Sequence, residues 1–87
     1  MRGREIIGLN VRRLRVERDV SQERLAFDSG VDRSYLSGVE RGEENPTIDV
    51  LDKLASTLSV HVSALLEPVD KHENISSGLK RGRKPNP

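Results

Sequence analysis

The sequence predicts an all-α fold of five helices. Leu, Val, Ile and Ala recur at intervals of three and four residues, and they show little of the strict alternation that marks a β-strand. Ser, Asp or Thr precedes several of these apolar runs, where its side-chain oxygen can accept from free backbone amides, and Gly or Pro follows them. The 87 residues contain no cysteine, so we expect one compact domain held together by apolar packing alone.

The first two helices flank a short turn. The first helix is predicted over residues 4–18, and its core-facing stripe comprises Ile7, Val11 and Leu14. Residues 19–20 form the turn, and the Ser21 hydroxyl can then cap a second helix that runs through Asp28. Because a lone aromatic side chain on a short helix usually buries against its neighbours, we expect Phe27 to pack into the domain.

A glycine turn separates the second helix from the third. Gly30 suits a backbone that turns through positive φ, and Asp32 can cap the helix that follows. This third helix is predicted over residues 33–41, with Gly42 at its end. Its buried residues would be Leu36 and Val39.

Two further helices complete the domain, which we expect to span residues 1–67. Thr47 can cap a fourth helix after the loop at residues 43–46. Its apolar residues are Ile48, Leu51, Leu54, Ala55 and Leu58. A short fifth helix is predicted over residues 61–66, because Pro68 cannot continue it. Residues 68–87 are rich in Lys, Arg, Ser, Asn, Gly and Pro and are expected to form a disordered, flexible basic tail.

Charge is distributed unevenly along the chain, although the formal net charge is only +1. Residues 1–18 carry a net +4, residues 19–67 a net −6, and residues 68–87 a net +3. Basic ends permit contact with phosphates, but a solvated surface of paired charges fits the same distribution. Charge alone therefore does not decide between these two interpretations.

Several classes of function lack their sequence signals. No apolar stretch approaches the roughly 20 residues that a membrane span needs, and the chain starts without a secretory signal, so we expect a cytoplasmic protein with no membrane partner. His61 and His72 are far apart and have no thiolate near them, so we expect no metal and no cofactor. No nucleophile and base pair or phosphate loop appears, which argues against an enzyme.

The most specific pattern is the pair of short helices joined by a tight turn within residues 21–41. A helix can read DNA in the major groove if its first turns carry groups that hydrogen-bond base edges while a second helix contacts the backbone. The residues that supply such groups are Arg33, Ser34, Ser37 and Arg41.

The segments SQERLA, GVDRSYLSGVERG, NPTIDVLDKLA and LSV resemble the phage repressor and Cro type (XRE type) of helix-turn-helix regulator over roughly residues 7–67. The stretch LAFDSGVDRSYLSGVERGEEN is especially similar to the controller proteins of restriction-modification systems. The resemblance implies a lambda-repressor-like fold. It also implies a transcription regulator that binds double-stranded DNA. In the implied homodimer, each subunit places its third helix in one half of a palindromic operator.

The resemblance also implies a set of DNA-binding residues: Gln22, Arg33, Ser34, Tyr35, Ser37, Gly38, Arg41 and Asn45. Gln22 would touch a phosphate and brace the third helix. Arg33 and Ser34 would read bases first, because an arginine fork matches O6 and N7 of guanine. Ser37 and Gly38 would face the groove one turn later, Arg41 would contact the backbone, and Tyr35 and Asn45 are candidate phosphate ligands.

Three positions relate to the family pattern in ways that the structure can test. Asp19 replaces the common Gly after the first helix, so an Asp must adopt the left-handed region or the turn must differ. Gly38 supplies no side chain where many relatives read a base, so fewer side chains carry the specificity or DNA shape contributes more. The family also implies an ion pair between Glu40 and Arg15.

Two alternatives remain open at the level of sequence. The chain could be an antitoxin-like protein-interaction module in which DNA binding is secondary, although such a helix should carry large apolar anchors. The tail around Arg81 and Arg83 resembles an AT-hook that enters the minor groove, but a flexible basic tail with non-specific phosphate attraction fits as well. For the homodimer, the expected apolar patch comprises Val60, Val62, Leu66 and Val69.

Overall fold

The computed structural model describes residues 1–69 and shows four α-helices and one 3₁₀ helix. The α-helices are α1 (Gly3–Glu17), α2 (Gln22–Ser29), α3 (Arg33–Glu40) and α4 (Ile48–Thr57). The described part contains no strand, which confirms the all-α prediction. From residue 70 onward, the predicted tail lies outside the described residues.

The predicted fifth helix is a 3₁₀ helix, Val62–Leu66, so the expectation of five α-helices is wrong. The segment has only five residues, and the tighter 3₁₀ geometry occurs in short pieces of this kind, often as connectors or at the ends of helices. Glu67 after it is extended, with φ −59° and ψ 137°, because the residue before a proline avoids the helical region. Pro68 therefore stops the segment before an α-helix can develop.

Side-chain caps begin three of the α-helices where the sequence predicts them. The Ser21 hydroxyl accepts from the backbone N–H of Arg24 at 3.0 Å, at the start of α2. The carboxylate of Asp32 and the hydroxyl of Thr47 cap α3 and α4 in the same way, at 3.0 and 3.2 Å. Each cap satisfies a backbone donor that has no partner within its helix.

Left-handed residues turn the chain between helices. Gly30 has φ 77° after α2 and Gly42 has φ 75° after α3, so both sites favour a residue without a Cβ. Asp19 also adopts positive φ, at 57°. The turn after α1 therefore keeps the left-handed geometry although an Asp stands there.

Every helix contributes to one apolar core. Its most deeply buried members come from all five elements and are Val11, Leu25, Leu36, Leu54 and Leu65. α1 packs against α3 and the 3₁₀ helix, and α2 packs against α3 and α4. No helix within residues 1–69 is both long and apolar enough to cross a membrane.

Phe27 does not pack into this core, contrary to the expectation from sequence. Its side chain is 81% exposed, whereas Leu25 and Ala26 are buried. Because successive helical residues are rotated by about 100°, Phe27 lies roughly 200° around α2 from Leu25. The short helix buries one face only, and Phe27 lies on the opposite one.

Two residues of α1 fix its position. Gly8 lies against the end of α3, and a Cβ there would overlap the backbone oxygens of Val39 and Glu40. Asn10 is 1% exposed, and its side-chain amide donates to the carbonyl oxygens of Leu65 at 3.1 Å and Glu67 at 2.9 Å. The first contact sets the distance between α1 and α3, and the second ties α1 to the 3₁₀ helix.

Candidate nucleic-acid interface

α3 presents a polar outer face, which we define as Arg33, Ser34, Ser37 and Arg41. Arg33, Ser34 and Arg41 are exposed and Ser37 is half-buried, while Leu36 and Val39 on the other side are buried in the core. Three of the predicted DNA-binding residues on α3, together with Arg41 at its C-cap, thus share one surface.

Three side chains from three helices hold α3 in place. Arg15 of α1 forms a two-pronged ion pair with Glu40, with Nε 2.7 Å from Oε2 and Nη2 3.0 Å from Oε1. Their side chains are only 12% and 4% exposed. Gln22 of α2 donates through Nε2 to Glu40 Oε1 at 3.0 Å. The geometry confirms the expected ion pair between Arg15 and Glu40 and shows Gln22 in contact with α3.

Arg33 stands at the first position of α3 with a largely unconstrained guanidinium. Its only ion pair among the described residues is with Glu23 of α2, with 3.9 Å between Nε and Oε2, and its side chain is 59% exposed. A surface pair at this distance contributes little to stability. The fork of Arg33 can therefore change partner at low cost.

Arg41, at the other end of the outer face, is engaged by its neighbours. Its guanidinium donates through Nη1 to the Ser37 hydroxyl, and Nη2 lies 3.1 Å from Oε1 of Glu43. The hydrogen bond and negative charge of Glu43 raise the pKa of Arg41, with a further contribution from the charge of Glu44. A phosphate would have to compete with these carboxylates for Arg41.

Gly38 is placed differently from the sequence expectation, because it is buried. A Cβ built on Gly38 would lie 2.7 Å from Cγ and 3.1 Å from Oε2 of Glu44. Glu44, in the loop after α3, thus covers the backbone of Gly38. Sequence reasoning missed Glu44, because its position over Gly38 depends on the path of the loop after α3 and leaves no signal in the helical pattern.

The remaining predicted residues surround this face at different depths. Gln22 is half-buried, Asn45 is exposed in the loop between α3 and α4, and Tyr35 is half-buried against the core. Arg81 and Arg83 lie outside the described residues. Within residues 1–69, no group of three or more His, Cys, Asp or Glu side chains is placed to hold a metal ion.

Comparison with known proteins places this arrangement in a family. Residues 11–65 match the family model HTH_3, described as helix-turn-helix. An uncharacterized HTH-type transcriptional regulator, y4dJ of Sinorhizobium fredii, is 41% identical over 68 residues, which cover 78% of this chain and 88% of that protein. The control protein C.BamHI of Bacillus amyloliquefaciens is 37% identical over 65 residues, covering 74% of this chain and 80% of that protein.

A solved structure agrees in fold as well as in sequence. The crystal structure of the restriction-modification controller protein C.AhdI from Aeromonas hydrophila aligns with a TM-score of 0.69 and 44% identity. The alignment covers 71% of this chain and 94% of that one.

Proposed function

This chain belongs to the helix-turn-helix family, and from that premise we propose that it is a sequence-specific DNA-binding transcription regulator whose α3 reads the major groove. The observation that carries the proposal is the polar outer face of α3, held in place by Glu40, Arg15 and Gln22. A rigid helix with Arg33 and Ser34 at its exposed beginning has the form needed to read base edges. We propose a cytoplasmic location for this role, because the relatives named above are bacterial proteins and bacterial DNA lies in the cytoplasm.

Individual contacts follow from the chemistry of each side chain. Arg33 has an exposed donor fork for guanine, and Ser34 lies beside it as a second base reader. The Gln22 amide has two N–H groups. Because one donates to Glu40, the other is free to donate to a DNA phosphate in this proposal. Further contacts are proposed for Tyr35, Ser37, Arg41 and Asn45, while Gly38 belongs to the same surface but lies beneath the side chain of Glu44.

The regulator is proposed to act as a homodimer on a palindromic operator. One helix of eight residues offers few contacts, and two linked half-sites multiply their affinity through effective concentration. Leu66 is 49% exposed, while Val60, Val62 and Val69 are partly buried, so this patch retains apolar surface for a second copy. Residues 1–67 form the DNA-binding domain in this proposal, and residues 68–87 form a basic extension in which Arg81 and Arg83 meet DNA.

The protein-interaction alternative has less support. It calls for large apolar anchors on α3, and the outer face carries Arg33, Ser34 and other polar side chains instead. The residues of this face suit DNA binding by a regulator, and we propose no enzymatic activity for it.

Selection of bound sites from random duplex DNA tests the proposal, with Arg33→Ala compared against Lys53→Ala. Wild-type protein should enrich an inverted repeat whose half-sites are centred about 10 base pairs apart. Arg33→Ala should lose a guanine preference in each half-site by roughly 5- to 150-fold, with little change in the salt dependence of binding. Lys53→Ala removes one positive charge from α4 and should leave the selected sequence unchanged.

Two results would contradict parts of this account. A uniform loss of affinity for all duplexes in Arg33→Ala would make Arg33 a phosphate ligand. Enrichment of a single sequence without an inverted repeat would contradict the proposal that the protein binds DNA as a homodimer.

A further inference from the structure

Gly38 interrupts a row of exposed residues on α3. Residues three, four and seven apart lie on the same side of a helix, so Ser34, Gly38 and Arg41 form one continuous row. Ser34 and Arg41 are exposed, yet Gly38 between them is buried. Something other than the core must cover it, since the core side of α3 is made by Leu36 and Val39.

The covering group is the side chain of Glu44. The three atoms nearest to a Cβ built on Gly38 all belong to Glu44: Cγ at 2.7 Å, Oε2 at 3.1 Å and Cδ at 3.4 Å. The Glu44 side chain thus occupies the space that a side chain at position 38 would fill, and one carboxylate oxygen lies beside it. The negative charge of Glu44 also helps to raise the pKa of Arg41, which agrees with a carboxylate lying along the row.

We propose that Glu44 is a specificity-determining residue whose carboxylate, held on α3 in place of the side chain that Gly38 lacks, selects a cytosine at one position of each half-site. This inference rests on the proposed function, because it requires the outer face of α3 to meet base pairs. A carboxylate only accepts hydrogen bonds, so it pairs with the exocyclic N4 amino group of cytosine. It repels the O6 and N7 acceptors of guanine.

The outer face then combines two complementary readers. Arg33 at the start of α3 only donates, and Glu44 near its end only accepts. Gly38 has a defined role in this arrangement, because a Cβ at this position would force the Glu44 side chain to move from where it lies.

Glu43 provides a matched control for charge. It has the same side chain one residue earlier, is 61% exposed, and its carboxylate pairs with Arg41 instead of covering Gly38. If carboxylates in this loop act only by repelling phosphates, removal of Glu43 and removal of Glu44 will strengthen binding to all duplexes alike.

The experiment is selection from random duplex DNA with wild type, Glu44→Ala, Glu44→Gln, Gly38→Ala and Glu43→Ala, after circular dichroism has shown that each variant is helical. Both Glu44 variants should lose one cytosine preference by about fivefold or more while the other positions keep theirs. Gly38→Ala should lose the same preference although Glu44 is intact, and Glu43→Ala should keep it.

Unchanged preferences in the Glu44 variants, with tighter binding of every duplex as in Glu43→Ala, would overturn the role of Glu44 and leave the proposed function standing. Altered preferences at different positions in Gly38→Ala and Glu44→Ala would also overturn it. Wild-type protein that enriches no sequence would overturn the proposed function together with this inference. Should Gly38→Ala fail to fold, the two Glu44 variants decide the matter.

Discussion

Glu40 is the residue on which the position of α3 depends most. Its carboxylate accepts from Arg15 through both oxygens and from Gln22 through one, and its side chain is 4% exposed. Arg15 has a further bond from Nη1 to the carbonyl oxygen of Val20 at 2.9 Å. Removing the charge of Glu40 therefore leaves Arg15 largely buried with no opposite charge beside it.

Glu40→Gln should therefore lower the free energy of unfolding by on the order of 3 kcal/mol, as measured by urea denaturation. Glutamine keeps the size of the side chain, but its NH₂ group would face an N–H donor of Arg15. Its neutral amide also cannot balance the positive charge of Arg15. Glu17→Gln is the control, because Glu17 pairs with Arg13 at 3.3 Å on the surface, with its side chain 49% exposed. The control should change stability by less than about 1 kcal/mol; equal losses in the two variants would contradict this account.

Single residues differ in how well the sequence predicts their environment. The ion pair of Glu40 with Arg15 is predictable from family resemblance. The burial of Asn10 is not, because its partners are backbone carbonyls of Leu65 and Glu67, more than fifty residues away along the chain. Phe27 is mispredicted because aromatic character indicates burial only when the helix turns that face to the core.

At the scale of elements, the packing of α1 on α3 depends on a glycine. Gly8 lies where a Cβ would overlap the backbone oxygens of Val39 and Glu40, and backbone atoms cannot move aside as the end of a side chain can. Helix propensity opposes this requirement, because Ala is better than Gly in a helix by about 1 kcal/mol.

Gly8→Ala should nevertheless destabilise the domain by about 1–3 kcal/mol in thermal or urea unfolding, since steric overlap outweighs propensity at this contact. Gly3→Ala, in the first turn of the same helix, is the matched control because a Cβ there meets nothing within 4 Å. Its stability should be equal to that of wild type or slightly greater. A stabilised Gly8→Ala would show that α1 and α3 are not in close contact.

Elements are predicted well where the signal is local. The caps at Ser21, Asp32 and Thr47 stand where the sequence predicts them, because capping depends on residues three positions apart. The 3₁₀ geometry of Val62–Leu66 is not predictable from apolar spacing, which does not separate it from a last α-helical turn. The cover of Gly38 by Glu44 depends on the path of a loop, which no helical pattern specifies.

For the whole molecule, charge totals are a poor guide to the surface that binds. The excess of Arg in residues 1–18 permits phosphate contact, yet part of it serves the fold. Arg15 pairs with Glu40, and Arg18 donates through Nε to the carbonyl oxygen of Leu58 at 2.9 Å. The interface is instead indicated by the order of short helices along residues 21–41, and this local order made the family and the polar face predictable. The contact of Arg41 with Glu43 was not predictable, because it depends on the path of the loop after α3.

Base reading by α3 is tested by measuring the affinity of the full chain for its selected operator and for a scrambled duplex of the same length and composition, over a range of salt concentrations. Both affinities should fall as salt rises, because phosphate contacts release counterions. The operator should stay tighter by at least about 10³-fold, because α3 reads its base edges. Equal affinities for the two duplexes at every salt concentration would contradict the account.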